Sequence, residues 1–317
     1  MSIDKYQVQR QFNRSAAQYD DLAMMQRQIV DTLMAELPKS LNAGIIDSSV
    51  DYGVSGNNDR ENSDGLVICD AGCGTGYALM QLSNIYPGAN LTGLDIAPAM
   101  LQAAEQRLKA GENKALRVDL LQGDIESLPF SPDSLNLCFS SSAVQWCDVA
   151  VVAKQMYAAL RPGGSVLISS FLSGTLQSWR QLWDKNDQRF LTLAEFDRAI
   201  SDSGLVLDRL WTESFVQSFD TFHGALKSVR NLGAGNASAA RPKGLMSRAR
   251  FNDIRAQADA IIQRNGAIEL SYQVVYAKAF KPKVFKPKVF KAKVFKAKPS
   301  KAGVSKSGAF KLRSANE

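Results

Sequence analysis

The chain has 317 residues, 45% hydrophobic and 22% charged, enough material for one large or two ordinary soluble domains. No apolar run approaches the ~18 residues of a bilayer span. The N-terminus, M-S-I-D-K-Y-Q-V-Q-R, lacks the apolar stretch of a secretory leader, and four cysteines make no disulfide framework. The expected compartment is a reducing cytoplasm. The net charge of +7 is unevenly placed: from Lys278 onward there are twelve Lys, Arg313 and one acid, Glu317, so this tail carries +12 and the remainder about −5.

From Asp4 to Leu37 the pattern is helical, broken by Pro38, within an N-terminal helical segment over 1–43. Gly44 to Gly65 is rich in Gly, Ser, Asn and Asp and reads as a flexible insertion over 44–65. Apolar strands are then expected at Leu66–Ala71, Asn90–Asp95, Leu116–Gln122, Leu135–Ser140 and Ser165–Phe171. Helices are expected at Tyr77–Ile85, Pro98–Ala110 and Val149–Leu160. Strands alternating with helices imply an α/β fold with a doubly wound, mostly parallel sheet over 66–174. The turn Arg161-Pro162-Gly163-Gly164 separates a helix from the next strand. Thr175 to about Arg264 reads as mostly helical, a cap over 175–265 inserted before the last strands, and Glu269–Phe280 closes the core as a strand within 266–280. The remaining 281–317 repeats the pentad K-P-K-V-F with decay, and its prolines and like charge predict a disordered basic tail. Two readings of the tail stay open: a polyanion contact aided by Phe285, Phe290 and Phe295, or an expanded, solvated repeat.

The run Gly65–Tyr77 reads G-L-V-I-C-D-A-G-C-G-T-G-Y. A buried strand enters a turn with glycines at 72, 74 and 76, which lets the backbone bend tightly and a ligand lie against it. The dinucleotide fingerprint G-x-G-x-x-G would need Gly at 77, where Tyr77 stands. The spacing from Asp70 is instead D-x-G-x-G-x-G.

In this run the sequence resembles the class I, Rossmann-like S-adenosylmethionine-dependent methyltransferases, and the following strand ends agree. The resemblance implies that Asp70, Gly72, Cys73, Gly74 and Gly76 form the donor-binding turn. It places Asp95 on the donor ribose, where two hydroxyls can donate to one carboxylate. Ile96 and Met100 follow in Ile96-Ala97-Pro98-Ala99-Met100, with Ala97 in place of the usual Ser. In Gln122-Gly123-Asp124-Ile125, Asp124 would receive the adenine amino group with Ile125 beside the ring. Ser140, in Cys138-Phe139-Ser140-Ser141-Ser142, would lie near the meeting point of donor and acceptor.

Two further stretches narrow the resemblance. Phe12-Asn13-Arg14-Ser15-Ala16-Ala17-Gln18-Tyr19-Asp20 precedes Met24-Met25-Gln26, and G-D-I-E-S-L-P-F is followed by S-S-S-A-V-Q-W-C. Together, over Lys5 to Ala279, they resemble the malonyl-acyl carrier protein O-methyltransferases of biotin synthesis. That implies methyl transfer from S-adenosylmethionine to the free carboxylate of a malonyl thioester, with acyl carrier protein as partner and no metal. Tyr19 and, in the cap, Arg230 are the substrate-positioning candidates, Tyr19 and Gln26 closing the N-terminal helix over the donor. Trp146 is expected in a pocket wall. Lys227, Arg230, Arg241, Lys243, Arg248 and Arg250 are candidates for docking an acidic carrier. His223 reads as a surface or packing residue, and the cysteine spacings fit no zinc site. The alternatives are a methyltransferase for another small molecule, such as a quinone precursor or fatty acid, and a polyanion-binding protein acting through its tail.

Overall fold

The computed structural model describes residues 3–38, 41, 65–111, 118–183, 190–231, 247–283, 294–296 and 311–313. Two helices, α1 (Lys5–Leu22) and α2 (Met24–Met34), precede the sheet, and the Asp4 carboxylate caps α1 by accepting from the Gln7 N–H. Then come β1 (Val67–Ala71), α3 (Tyr77–Ile85), β2 (Asn90–Asp95), α4 (Pro98–Ala110), β3 (Val118–Gln122) and β4 (Leu135–Ser141). They are followed by a short 3-10 turn (Val144–Trp146), α5 (Val149–Ala159) and β5 (Leu160–Phe171). The strand order is β3-β2-β1-β4-β5-β7-β6, where β6 is Val206–Phe219 and β7 is Ile268–Phe280. Strands β1 to β5 are parallel, and β7 inserts antiparallel between β5 and β6. The order reverses between β1 and β4, so their C-terminal ends open a crevice of the kind that binds ligands in such sheets.

Both faces of the sheet are covered, which is why β1 and β4 are buried along nearly their whole length. On one face Ile68, Leu137 and Phe139 pack with Met25, Ile29 and Leu33 of α2 and Leu79 and Leu82 of α3. On the other, Cys69, Cys138 and Val166 pack with Val152 and Met156 of α5 and with Phe196 and Ile200 of α7 (Leu193–Ser201). Thus α2 belongs to the core, while α1 lies across the open strand ends beside α4 and α8 (Phe222–Asn231), the helix that follows β6.

The structure corrects three expectations. The block from 175 to 264 is not simply helical: α6 (Gln177–Leu182) and α7 precede the 14-residue strand β6, and α8 and α9 (Arg248–Asn265) follow it. A bulge between Leu207 and Arg209 shifts the pairing with β7 and puts Leu207 and Leu210 on one face, while Trp211 and Phe215 are buried in the core on the other. Second, Arg161–Gly164 is an irregularity inside β5, whose pairing with β4 passes from Leu135↔Leu160 to Leu137↔Ser165. Third, two pieces of the tail expected to lack structure, Val294–Lys296 (β8) and Lys311–Arg313 (β9), pair with β6. Beside β7 that strand is otherwise an edge with unpaired backbone groups, and the Val-Phe pairs of the pentads favour extended chain. The insertion over 44–64 lies outside the described residues, as does the rest of the tail beyond Lys283.

Candidate active site

The site is built where β1, β2, β3 and β4 end. After β1 the chain turns so that the Gly72 and Cys73 N–H groups donate to the Leu94 carbonyl at 2.7 and 3.0 Å. Gly72 has φ +82°, and a Cβ there would lie 2.3 Å from the Ala143 Cβ, so a side chain is excluded. Gly74 has φ +53° and faces open space, leaving bare backbone at the cavity wall.

Asp95, at the end of β2, is held from both sides. One oxygen accepts from the Gly74 N–H at 2.9 Å and the other from the Ala97 N–H at 2.8 Å. Burial raises its carboxyl above the usual range, although these bonds oppose the shift. Beneath it, Asp70 is 1% exposed and its Oδ2 has no partner among the described residues. Burial, joined by the neighbouring Asp95 charge, pushes the Asp70 carboxyl up to about 8.

Asp124 follows β3. Its Oδ1 accepts from the Glu126 N–H and from Lys5 Nζ, each at 3.0 Å. Ile125 and Met100 are buried at the same cavity wall. Lys5 also meets Glu126 Oε1 at 2.7 Å and Cys147 Sγ at 3.0 Å. Burial works against the Lys5 charge, but these partners outweigh it and hold the ammonium above its ordinary range. Asp124, Glu126 and Cys147 bring their ligand atoms within 4.8 Å of one another, and the Lys5 ammonium sits among all three. Burial pushes the Cys147 thiol up to about 12.

The roof is one face of α1. Lys5, Val8, Phe12 and Tyr19 all line the cavity, spaced by three, four and seven residues. Tyr19 is half-buried, and desolvation of its hydroxyl, with the Asp95 and Asp20 charges, holds that group well above the usual range. Its ring meets Phe12 edge-on at 6.5 Å, and Phe12 meets Trp146 at 6.1 Å. The next residue, Asp20, anchors this end of the helix: it accepts from the Thr75 hydroxyl at 2.8 Å, binds Arg107, and lies 3.4 Å from Arg27.

The remaining wall is Ser141, Ser142, Ala143 and Trp146, after β4. Ser142 has φ +54°, a backbone state that costs a non-glycine residue ~1 kcal/mol or more. Its N–H is held by the Ser169 carbonyl at 3.1 Å and hydroxyl at 3.2 Å, and its carbonyl accepts from Gln145 Nε2 at 2.6 Å.

Of the residues singled out in the sequence, the cavity gathers Tyr19, Gly72, Gly74, Asp95, Ile96, Met100, Asp124, Ile125 and Trp146. Asp70, Cys73 and Gly76 support the turn from beneath and do not line it. Ser140 is fully buried and donates to the Ala71 carbonyl at 2.7 Å; its neighbours Ser141 and Ser142 take the cavity wall instead. Arg230 is exposed at the end of α8, away from the lining, where its carbonyl accepts from Gln11 Nε2 at 2.9 Å. Gln26 has a buried Oε1 outside the lining with no partner among the described residues, and His223 is exposed. Lys227 and Arg248 are exposed and Arg250 is half-buried, while Arg241 and Lys243 lie outside the described residues. Sequence reading missed Lys5, Val8 and Phe12, although steps of seven and four back from Tyr19 along the helix face reach Phe12 and Val8, and three more reach Lys5.

A methyltransferase domain family matches residues 68–164. Over 282 residues the chain is 30% identical to the malonyl-[acyl-carrier protein] O-methyltransferase of Dechloromonas aromatica, covering 87% of this chain and 95% of that one. The enzyme of the same name from Serratia marcescens is 30% identical over 286 residues, 88% and 97% of the two chains. In fold, a chain from the complex of the Haloferax volcanii Trm112 methyltransferase activator with a methyltransferase superposes with a TM-score of 0.50. It shares 18% identity over 86% of this chain and 97% of that one. The strand order, the cavity at the strand ends and this similarity over nearly the whole chain agree: the protein is an S-adenosylmethionine-dependent methyltransferase and belongs to the malonyl-[acyl-carrier protein] O-methyltransferase family.

Proposed function

We propose that the protein methylates the free carboxylate of a malonyl group carried as a thioester on acyl carrier protein, giving the methyl ester that primes pimeloyl synthesis for biotin. The observation that carries this reading is one cavity joining bare glycine backbone and two strand-end acids to an apolar wall under α1. Those residues fit S-adenosylmethionine. Gly74 leaves room for a ligand against the main chain, and Asp95 and Asp124 supply carboxylates. In this reading Asp95 receives the ribose hydroxyls, Asp124 the adenine amino group, and Ile96, Met100 and Ile125 flank the base and ribose. Asp70, Cys73, Gly76 and Ser140 shape the turn. When bound, the donor supplies an electrophilic methyl group on a cationic sulfur.

What the chain itself does follows from the acceptor's chemistry. A carboxylate with an ordinary pKa of about 4 is already ionised at neutral pH, so no base is required. The protein strips water from it and aligns one oxygen. Val8, Phe12, Ala143 and Trp146 provide the water-excluding wall, and Tyr19, whose hydroxyl stays protonated, is a donor able to position the acceptor. Arg230 and Lys227, exposed on α8, suit docking of an acidic carrier rather than contact with the reacting group. All four cysteines are free, in keeping with a cytoplasmic setting.

The test uses S-adenosylmethionine with a labelled methyl group and malonyl-carrier, read by mass spectrometry. Label is expected on the malonyl carboxyl, absent from acetyl-carrier, which lacks the acid, and reduced at least ~100-fold by Asp95→Ala, which removes a charged partner. Transfer to acetyl-carrier, or none to malonyl-carrier, would overturn the reading.

A further inference from the structure

Lys5 is the one cation lining the cavity among the described residues, and its three ammonium protons are all committed. They meet Asp124 Oδ1 at 3.0 Å, Glu126 Oε1 at 2.7 Å and Cys147 Sγ at 3.0 Å. These acceptors come from two different segments: the loop after β3 and the end of the turn that follows β4. Glu126 Oε1 also accepts from the Asp148 N–H at 2.8 Å, and Asp148 caps α5. Lys5 therefore ties the first turn of α1 to both walls at one end of the cavity. Its side chain is 26% exposed, so these contacts are only partly screened by solvent.

The geometry at Asp124 is one-sided. Oδ1 takes both the Lys5 ammonium and the Glu126 N–H, and Oδ2 has no hydrogen-bond partner among the described residues. A carboxylate pinned through one oxygen presents the other in a fixed direction. We infer that Lys5 is a positioning residue for nucleobase recognition: it fixes Asp124 through Oδ1 so that Oδ2 is aimed at the amino group of the donor's adenine, while closing α1 over that end. This rests on the assignment of Asp124 to adenine made above. Lys5 does not touch the base in this account, since it has no proton left to donate.

The inference separates Lys5 from an ordinary surface ion pair. A tie that only holds the helix down would serve every nucleoside equally. A tie that orients Asp124 matters only where the base carries an amino group for Asp124 to receive. The experiment measures dissociation constants by calorimetry for S-adenosylhomocysteine and for S-inosylhomocysteine, whose base has a carbonyl in place of the amino group. Wild type, Lys5→Met, Lys5→Arg and Asp124→Ala are compared, with far-UV circular dichroism and Tm recorded for each.

Lys5→Met is expected to weaken the adenosyl ligand ~10-fold and to change the inosyl ligand less than twofold, the scale of a charge-assisted hydrogen bond. Lys5→Arg restores most of the adenosyl affinity, because its guanidinium can hold the same carboxylate. Equal losses for both ligands, tighter adenosyl binding in Lys5→Met, or no loss at all while Asp124→Ala binds weakly, would each overturn the role of Lys5. Unchanged adenosyl binding in Asp124→Ala would instead overturn the underlying assignment of Asp124 to adenine.

Discussion

Two buried carboxylates on the neighbouring strands β1 and β2 are held differently. Asp95 is buried but accepts from two backbone N–H groups, and Asp70 is buried with one oxygen unpartnered among the described residues. Asp70 therefore binds a proton in the folded protein up to about pH 8, far above the ordinary carboxylate range, with burial as the main cause. The sign follows from proton linkage: between about pH 4 and 8 the folded state holds a proton that the unfolded state does not, so this residue lowers stability as pH rises through that window. Asp70→Asn removes the effect. Its Tm relative to wild type should move in the variant's favour between pH 5 and pH 8, by about 1 to 3 kcal/mol in stability; a constant difference across that range would refute the assignment. At this scale much was legible. The glycine turn, Asp95 and Asp124 stand at strand ends, where motif spacing alone fixes position. Ser140 was one residue off because parity along β4 decides which serine faces the cavity: Ser140 shares the Cys138 face, bonded to the Ala71 carbonyl, while Ser141 and the left-handed Ser142 face the site.

At the scale of elements, α1 is the part that turns an open crevice into a closed site. It is fastened at both ends, by Lys5 on Asp124 and Glu126 and by Asp20 on Thr75 and Arg107. Arg107 Nε also donates to the Thr75 carbonyl at 2.8 Å, so the Asp20 clasp grips the glycine turn itself. Gln9 Nε2 donates to the Ile96 carbonyl at 2.8 Å and Asn13 accepts from the Ala99 N–H at 3.0 Å, adding two ties along the middle. Asp20 is 40% exposed, so its ion pairs are discounted for solvent, and the short hydrogen bond it accepts from the buried Thr75 is the steadier contribution. Asp20→Asn should weaken S-adenosylhomocysteine binding ~3- to 10-fold by calorimetry, with a loss of ~1 kcal/mol in stability; unchanged affinity would mean that α1 is not coupled to the turn. The helix was legible from its period, and Tyr19 from the resemblance, but its opposite end was not. Nothing in a lysine at the first helical position announces an ion pair to residues 119 and 121 positions away. Strand β6 escaped for a different reason: its bulge at Leu207 and Arg209, and burial on both of its faces beyond it, break the two-residue period by which strands are read.

Over the whole molecule, the end of β7 is fastened to β5 at Lys281. The Lys281 backbone pairs with Gly163 and Gly164 at 2.8 and 2.9 Å, and its ammonium meets Asp133 at 2.6 Å and lies over the Tyr157 ring. The irregular Arg161–Gly164 stretch of β5 thus has a role that its Pro-Gly-Gly composition did not reveal, as the receptor for the end of β7. No helix among the described residues is long and apolar enough to cross a membrane. The acids that line the cavity, Asp95 and Asp124, favour a cationic donor, and the adjoining apolar wall excludes water from an acceptor that needs no base. In the proposed reading acceptor identity is set by cavity shape and carrier docking, and it is the claim most directly open to measurement. Equimolar malonyl-carrier, a long-chain fatty acid and a phenolic quinone precursor would be offered together with labelled S-adenosylmethionine, and the label in each product quantified. The account predicts at least ~100-fold more label on malonyl-carrier than on either small molecule, the discrimination available to a site that recognises a charged group and a protein partner together. Label mainly on the fatty acid or the quinone precursor would contradict it.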